Sequence, residues 1–151
     1  MGSELFALDG QQPDFLVWAT QDAQSAPLQR LQVIKGWLVD GEPHEQVFDV
    51  ACADGGVVDP ATQRCPDNGA TVNLADCTIS SNLGTAELKT VWRDPNYAAE
   101  QQAFYYARVL ENPTCRWSTW DAVRAGVAPR TGLHSTIQER AWSSPIWINP
   151  T

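Results

Sequence analysis

The sequence is short of basic residues and long hydrophobic runs. Ten Lys and Arg stand against eighteen Asp and Glu in 151 residues, which gives a formal net charge of −8. Nucleic acids and anionic membrane surfaces both need a basic protein face, so we expect neither as a partner. The apolar runs are far too short to span a bilayer. The opening MGSELFALDG also lacks the basic and apolar regions of a signal peptide, which fits a piece of a longer chain.

Histidine is equally scarce, with only His44 and His134. No GxSxG motif accompanies them, so a nucleophile–histidine–carboxylate set has no local support. We predict that both lie in solvent-exposed loops and that the chain is not an enzyme on its own. A small hydrolase that uses these histidines is the remaining enzymatic alternative.

The stretch 52–69 is rich in Asp, Asn, Gly and Pro and predicts a long irregular loop. Its oxygen-bearing side chains are of the kind that calcium prefers, although their spacing is not that of an EF-hand. The calcium candidates are Asp54, Asp59 and Asp67, with Asn68 beside them. Asp and Asn are also ordinary turn residues, so we expect no bound metal and no cofactor.

Four cysteines are present, and none lies in a CxxC motif. Their spacing resembles no zinc site, so structural disulfides are favoured over free thiols, and disulfides imply an oxidising compartment. Four cysteines allow three pairings. We favour Cys52–Cys65 with Cys77–Cys115, because each bridge would tie down a region without regular structure, but the sequence leaves the connectivity open.

Hydrophobic patterning predicts an all-β fold, an antiparallel β-sandwich of about seven strands with long loops and at most one short helix. Residues 1–151 form a single β-rich domain in this interpretation. Strands are expected at 15–19, 28–39, 46–51, 70–74, 77–80, 86–93, 103–110 and within 136–148. Turns are expected at Asp9–Gly10 and at Asp40–Gly41, the latter in a loop longer than two residues. One helical turn is expected within 98–102, and a short helix at 120–124, capped by Ser118 or Thr119 and ended by Gly126.

The stretch from Ala103 to Trp120 carries the strongest signals. Apolar residues on both faces of strand 103–110 predict a central strand that is covered on both sides. Pro113 ends it, because proline cannot donate to a ladder. We expect the large side chains of Trp117 and Trp120 to be covered by other parts of the protein.

Seven tryptophans raise an alternative, a stand-alone module that binds a glycan or a protein partner. Trp18, Trp37, Trp92 and Trp142 lie in predicted strands and could form such a surface. Aromatic residues in strands more often belong to the core, so the sequence alone favours packing over a binding platform.

Three segments, 28–52, 104–124 and 137–148, resemble the C-terminal part of a bacterial family known as domain-of-unknown-function family 3604. The resemblance covers nearly the whole chain, and AWSSPIWI also resembles the terminal strand of related hydrolases that carry β-domains. It implies an exported parent protein with a metal-dependent hydrolase domain similar to the polymerase-and-histidinol-phosphatase (PHP) superfamily. The His-x-His motif of that superfamily is absent here, so no catalytic residue or metal ligand is carried over.

The resemblance thus implies a non-catalytic C-terminal accessory domain, in the periplasm or outside the cell, whose partner is the hydrolase domain of the parent. Arg116, Trp117, Ser143 and Ser144 are our candidates for interdomain contacts, because polar and aromatic residues adjoin at strand ends there. Packing and turn formation explain these residues equally well. We also expect that an uncovered face could lead to self-association.

Overall fold

The computed structural model describes residues 2–6 and 11–150, and in this part of the chain ten strands and one short helix are formed. The mostly β fold and the single short helix are thus confirmed for the described residues. The predicted turn at Asp9–Gly10 lies outside them. The elements are β1 (Ser3–Phe6), β2 (Phe15–Thr20), β3 (Leu28–Val39), β4 (Glu42–Cys52), β5 (Glu87–Trp92), β6 (Ala103–Glu111), β7 (Thr114–Cys115), α1 (Trp117–Ala125), β8 (Thr136–Ile137), β9 (Arg140–Trp142) and β10 (Ile146–Asn149).

The main sheet has the strand order β1-β10-β6-β3-β4, and β9 pairs with β6 beside β10. Two smaller sheets consist of β2 with β5 and β7 with β8. These pairings are antiparallel except that of β1 with β10, which is parallel. Our antiparallel prediction is therefore wrong at this edge, where β1 itself was missed. All four β1 side chains are exposed, so the strand has no alternating apolar pattern to detect. The sandwich form stays a prediction.

The core lies where β2 and β5 pack against the main sheet. Alternate side chains of β2, Phe15 and Val17, point inward and are buried, while their neighbours are exposed. They meet Val33 of β3 and Tyr105 of β6, with the rings of Phe15 and Tyr105 4.7 Å apart. Burying this apolar surface is the main stabilising contribution in the fold.

Strand β6 is central, as predicted, with β3 on one side and β9 and β10 on the other. Gly36 of β3 lies under the ring of Phe104 in β6, and a Cβ at Gly36 would come within 2.2 Å of that ring. Glycine is required here because the aromatic ring approaches the backbone of the neighbouring strand.

The β3–β4 hairpin is tighter than we predicted. Val39 pairs with Glu42, so the loop contains only Asp40 and Gly41. Both have positive φ, 52° and 84°, as a type I′ turn requires. The prediction of a longer loop was wrong because residues 42–45 continue the ladder instead of joining the turn.

Residues 53–86 are irregular and are held by two disulfides, Cys52–Cys65 and Cys77–Cys115. The favoured cysteine pairing is confirmed, and two disulfides indicate an oxidising compartment. The strands predicted at 70–74 and 77–80 reduce to a single bridge between Val72 and Ile79. Turn-forming Asp and Asn side chains bond the backbone there and compete with a ladder.

Helix α1 begins three residues earlier than predicted. Arg116 is its N-cap and makes no side-chain capping bond, and Gly126 ends it in the left-handed conformation, as expected. The predicted cap Thr119 instead donates its hydroxyl to the carbonyl of Ser135 at 2.8 Å. Residues 98–101 form a turn and not a helix, with one bond from Gln101 N–H to the carbonyl of Ala98. In the described part of the chain, no helix is long and apolar enough to cross a membrane.

Candidate functional site: a cleft lined by arginines

One end of the main sheet is joined to the irregular loop by side-chain amides. Gln29 of β3 is buried, donates to the side chain of Asn68 at 2.9 Å and accepts from Gln138 at 2.9 Å. Asn68 also donates to the buried side chain of Asn112 at 2.9 Å. Because Gln29, Asn68 and Asn112 each both donate and accept, the loop, the end of β6 and the segment before β9 are held in one arrangement.

Asp49 of β4 fixes the loop from the other side. Its carboxylate is fully buried and accepts from the side chain of Gln32 at 2.6 Å and from the backbone N–H of Cys65 at 2.7 Å. Arg64 also approaches it, at 3.4 Å. These contacts hold the loop that the Cys52–Cys65 bridge closes against the main sheet.

A cleft of about 680 Å³ opens between these elements. We call it the arginine cleft, because three of the ten Lys and Arg residues of the chain line it. Its lining residues are Gln29, Arg30, Cys65, Asp67, Ala70, Pro113, Arg116, His134, Thr136, Ile137, Gln138 and Arg140.

The three arginines come from different elements. Arg30 lies on β3, Arg116 caps α1, and Arg140 begins β9. Their convergence was missed by sequence reasoning, which singled out only Arg116. No spacing rule could have found it, because the three positions are brought together by the strand order and by the Cys77–Cys115 bridge next to Arg116.

The two histidines lie in different places. His134 is exposed and lines the arginine cleft, within a loop as predicted. His44 is also exposed, but it lies in strand β4 and not in a loop, with its ring stacked 5.6 Å from that of Trp37. The predicted loop position of His44 was wrong because β4 begins at Glu42.

The calcium candidates accept hydrogen bonds from the protein, in local turns for Asp59 and Asp67 and from distant residues for Asp54. Asp54 accepts from the N–H of Gly84 at 2.8 Å and from Asn68, and Asp67 accepts from the N–H of Gly69. Hydrogen bonds from the N–H of Ala61 and the hydroxyl of Thr62 hold the pKa of Asp59 below its ordinary value. Within residues 2–6 and 11–150, no three His, Cys, Asp or Glu side chains are grouped as a metal site needs.

The four interdomain candidates lie at two separate places. Arg116 lines the arginine cleft, and Trp117 beside it is 69% exposed. Trp120 is 36% exposed, so the prediction that these two tryptophans are covered is wrong within this chain. Ser143 and Ser144 lie in the gap between β9 and β10. There the hydroxyl of Ser143 accepts from the N–H of Ala107 at 2.9 Å and continues the ladder that the gap interrupts.

A second cleft, of about 360 Å³, adjoins that gap. Ser143 and Ser144 line it together with Leu16, Trp18 and Ile146. Trp18 is held there by a bond from its indole N–H to Glu87 at 3.1 Å, and the ammonium group of Lys89 lies 5.7 Å from its ring. The sequence interpretation of Trp18 as a core residue is corrected, since 61% of its surface is exposed.

The other tryptophans divide between core and surface. Trp92 contacts Phe15 and Phe48, with ring separations of 5.9 and 5.1 Å, and belongs to the core. Trp142 is 58% exposed. Trp37 is half-buried and lines a third cleft, of about 370 Å³, with His44, Phe104 and Trp147.

The fold and its clefts define a small, mostly β protein, stapled by two disulfides, that carries a cationic cleft at one end of its main sheet. The model of the family described as protein of unknown function (DUF3604) matches residues 1–150, and the chain belongs to this family. No curated protein and no solved structure matches the chain.

Proposed function

We propose that this chain is a non-catalytic accessory β-domain that packs against a hydrolase domain of the same parent protein. The observation that carries the proposal is the outer face of the β2–β5 sheet. Leu16, Trp18 and Val91 are 72%, 61% and 64% exposed, and Leu16 pairs directly with Val91 across the strands. We call these three residues the apolar face.

An antiparallel sheet that is open to solvent normally carries polar residues on its outer side. The inner side of this sheet is already buried, so the apolar face is a second apolar surface that the core does not use. Contiguous exposed apolar side chains of this kind mark interaction sites. The adjoining gap carries Ser143 and Ser144, which keeps them as candidates for polar contacts at the rim of the same interface.

Arg116 and Trp117 would form a second contact in this proposal, at the arginine cleft. The family resemblance supports a hydrolase domain as the partner, and a location in the periplasm or outside the cell. The two disulfides support the oxidising compartment that such a location provides. Exposure of the apolar face in the isolated chain would also support self-association.

The test uses the parent protein with Leu16→Ser and Trp18→Ser. We expect this variant to lose resistance to proteolysis between the two domains and to unfold at a lower temperature. In the isolated chain the same changes should leave the unfolding temperature nearly unchanged, because both side chains are exposed. Val57→Ser with Leu74→Ser is the matched control, since these exposed apolar residues lie outside the apolar face. A parent that keeps full solubility and activity after deletion of this domain would contradict the accessory role.

A binding module for glycans is the second candidate. It is favoured by the aromatic cleft of Trp37, His44, Phe104 and Trp147, since flat rings stack on sugars. Titration with oligosaccharides should then quench tryptophan fluorescence. Trp147→Ala should abolish the response, whereas Trp142→Ala, which also removes an exposed tryptophan, should retain it. If no sugar quenches the fluorescence, glycan binding is excluded and only the accessory-domain proposal remains.

A further inference from the structure

The arginine cleft is cationic in a chain whose net charge is negative. Its lining includes the side chains of Arg30, Arg116 and Arg140, and Asp67 is the only carboxylate among the lining residues. That carboxylate is engaged by the N–H of Gly69 at 3.1 Å. Like charges that converge in one concave surface repel one another and concentrate anions from solution.

Of the seven other Lys and Arg residues, three are neutralised at close range. Lys35, Lys89 and Arg93 each pair with a carboxylate within hydrogen-bonding distance. By contrast, Arg30 comes only within 3.8 Å of Asp49, a carboxylate that already serves Arg64. Across the described residues, Arg116 and Arg140 have no carboxylate partner at all.

Two donors of these arginines are buried without a hydrogen-bond partner in the described structure, the Nε–H of Arg30 and the Nε–H of Arg116. Arg140 directs its Nε–H only to the carbonyl of Gln138, at 3.4 Å. Buried donors normally have partners, and leaving them unpaired is costly. Carboxylate, phosphate and sulfate oxygens match the fork of a guanidinium group.

The volume of the cleft suits a small ligand. A volume of about 680 Å³ lies within the range of small-molecule sites. Pro113 and Ile137 supply an apolar wall, and Thr136 and Gln138 supply further polar groups. Three arginines from three elements suit a ligand with more than one charged group.

We propose that the arginine cleft binds a compact ligand that carries two or more oxoanion groups, with Arg30, Arg116 and Arg140 as the recognising residues. This function is separate from docking of the apolar face, which lies on the β2–β5 sheet, and it gives Arg116 a role other than the interdomain contact proposed above. The shared chemistry is the oxoanion, and its source is a polycarboxylate or a diphosphate; sulfate, with a single oxoanion group, serves as the comparison.

The experiment is isothermal titration calorimetry at constant ionic strength with citrate, inorganic pyrophosphate, sulfate and polyglutamate, and with glycerol as the neutral probe. We expect one site for citrate or pyrophosphate, and the preferred anion identifies the source. Arg116→Gln with Arg140→Gln should weaken binding by roughly tenfold to a hundredfold, because bonds to charged groups are lost. Arg124→Gln with Arg130→Gln makes the same change in net charge on exposed residues outside the lining, and should bind as the unchanged protein does.

Circular dichroism shows whether each variant is folded. If the double variant does not fold, Arg140→Gln alone tests the same point, since this side chain is exposed. Equal weakening by the two arginine pairs would show unspecific attraction and overturn the proposal. Absence of binding by every small anion would overturn it too, as would binding of polyglutamate alone, which would assign the cleft to an acidic protein surface.

Discussion

Lys35 and Asp94 form an ion pair inside the core, with 2.6 Å between Nζ and Oδ2 and with side chains that are 2% and 0% exposed. Lys35 also donates to the carbonyl of Asn96 at 2.8 Å, and the hydroxyl of Tyr105 donates to Asp94 at 2.8 Å. The pair joins the middle of the main sheet to the segment that follows β5. The ion pair tolerates burial because hydrogen bonds satisfy both charged groups.

Lys35→Met should be strongly destabilising, since it leaves the carboxylate of Asp94 buried without its countercharge. We expect the free energy of unfolding to fall by about 3–5 kcal/mol. Urea denaturation with the disulfides intact measures this change. The control is Lys89→Met, whose pair with Glu87 is exposed and whose loss should change stability by less than about 1 kcal/mol. Equal costs for the two variants would contradict a structural role for the buried pair.

Tyr105 should make the protein sensitive to alkaline pH. Burial raises the pKa of Tyr105 far above its ordinary value, and the hydrogen bond to Asp94 and the charge of that carboxylate raise it further. In the unfolded chain the phenol ionises at about pH 10. Its stabilising contribution is therefore complete below that pH and is lost as the pH rises above it, with a slope of up to about 1.4 kcal/mol per pH unit.

Urea denaturation at a series of pH values, from neutral to above the pH at which free tyrosine ionises, measures how the free energy of unfolding changes with pH. Tyr105→Phe is the comparison, because it keeps the ring in the core and removes the titrating hydroxyl. We expect a flatter alkaline profile for the variant, whatever its stability at neutral pH. Parallel profiles for the two proteins would refute the assignment to Tyr105.

The two disulfides should differ in what they contribute. Replacement of Cys77 and Cys115 by serine should cost roughly 2–4 kcal/mol, because the cross-link restricts the unfolded chain. The loop that it closes spans 38 residues, against 13 for Cys52 and Cys65. Loop entropy then predicts a cost about 1 kcal/mol smaller for the shorter bridge. Denaturation of both double variants checks this order, after mass spectrometry has shown that the four cysteines are alkylated only after reduction.

Gly36→Ala should destabilise the fold by about 1–3 kcal/mol, because its methyl group would overlap the ring of Phe104. Phe104→Leu removes the ring, so the double variant should be more stable than the sum of the two single changes predicts. Thermal or urea denaturation of the two single variants and the double variant completes a double-mutant cycle. Strict additivity would mean that the glycine serves another purpose.

Local patterns were informative wherever a strand is buried by its neighbours. Strand β3 has the predicted bounds, 28–39, and β6 has the central position that the apolar residues on both of its faces predicted. The ladder of β1 was not detectable, since its exposed side chains carry no signal. The start of α1 was misplaced because Thr119 bonds a distant carbonyl in place of capping the helix.

The site depended on contacts between distant parts of the chain. Lys35 lies in a strand whose bounds were predicted, but Asp94, its partner, is 59 positions away. The arginine cleft likewise combines Arg30, Arg116 and Arg140, which no local motif links. The sequence could mark Arg116 as a surface residue of interest, yet it gave no reason to associate it with the other two.

By itself, the sequence determined the mostly β fold and the central strand and favoured two disulfides over free thiols, because hydrophobic period and proline act along short stretches and the cysteine spacing matches no metal site. The tertiary structure alone decided which tryptophans remain outside the core and which charges meet. Burial and electrostatics depend on strand order and loop closure, which bring residues together whatever their separation along the chain.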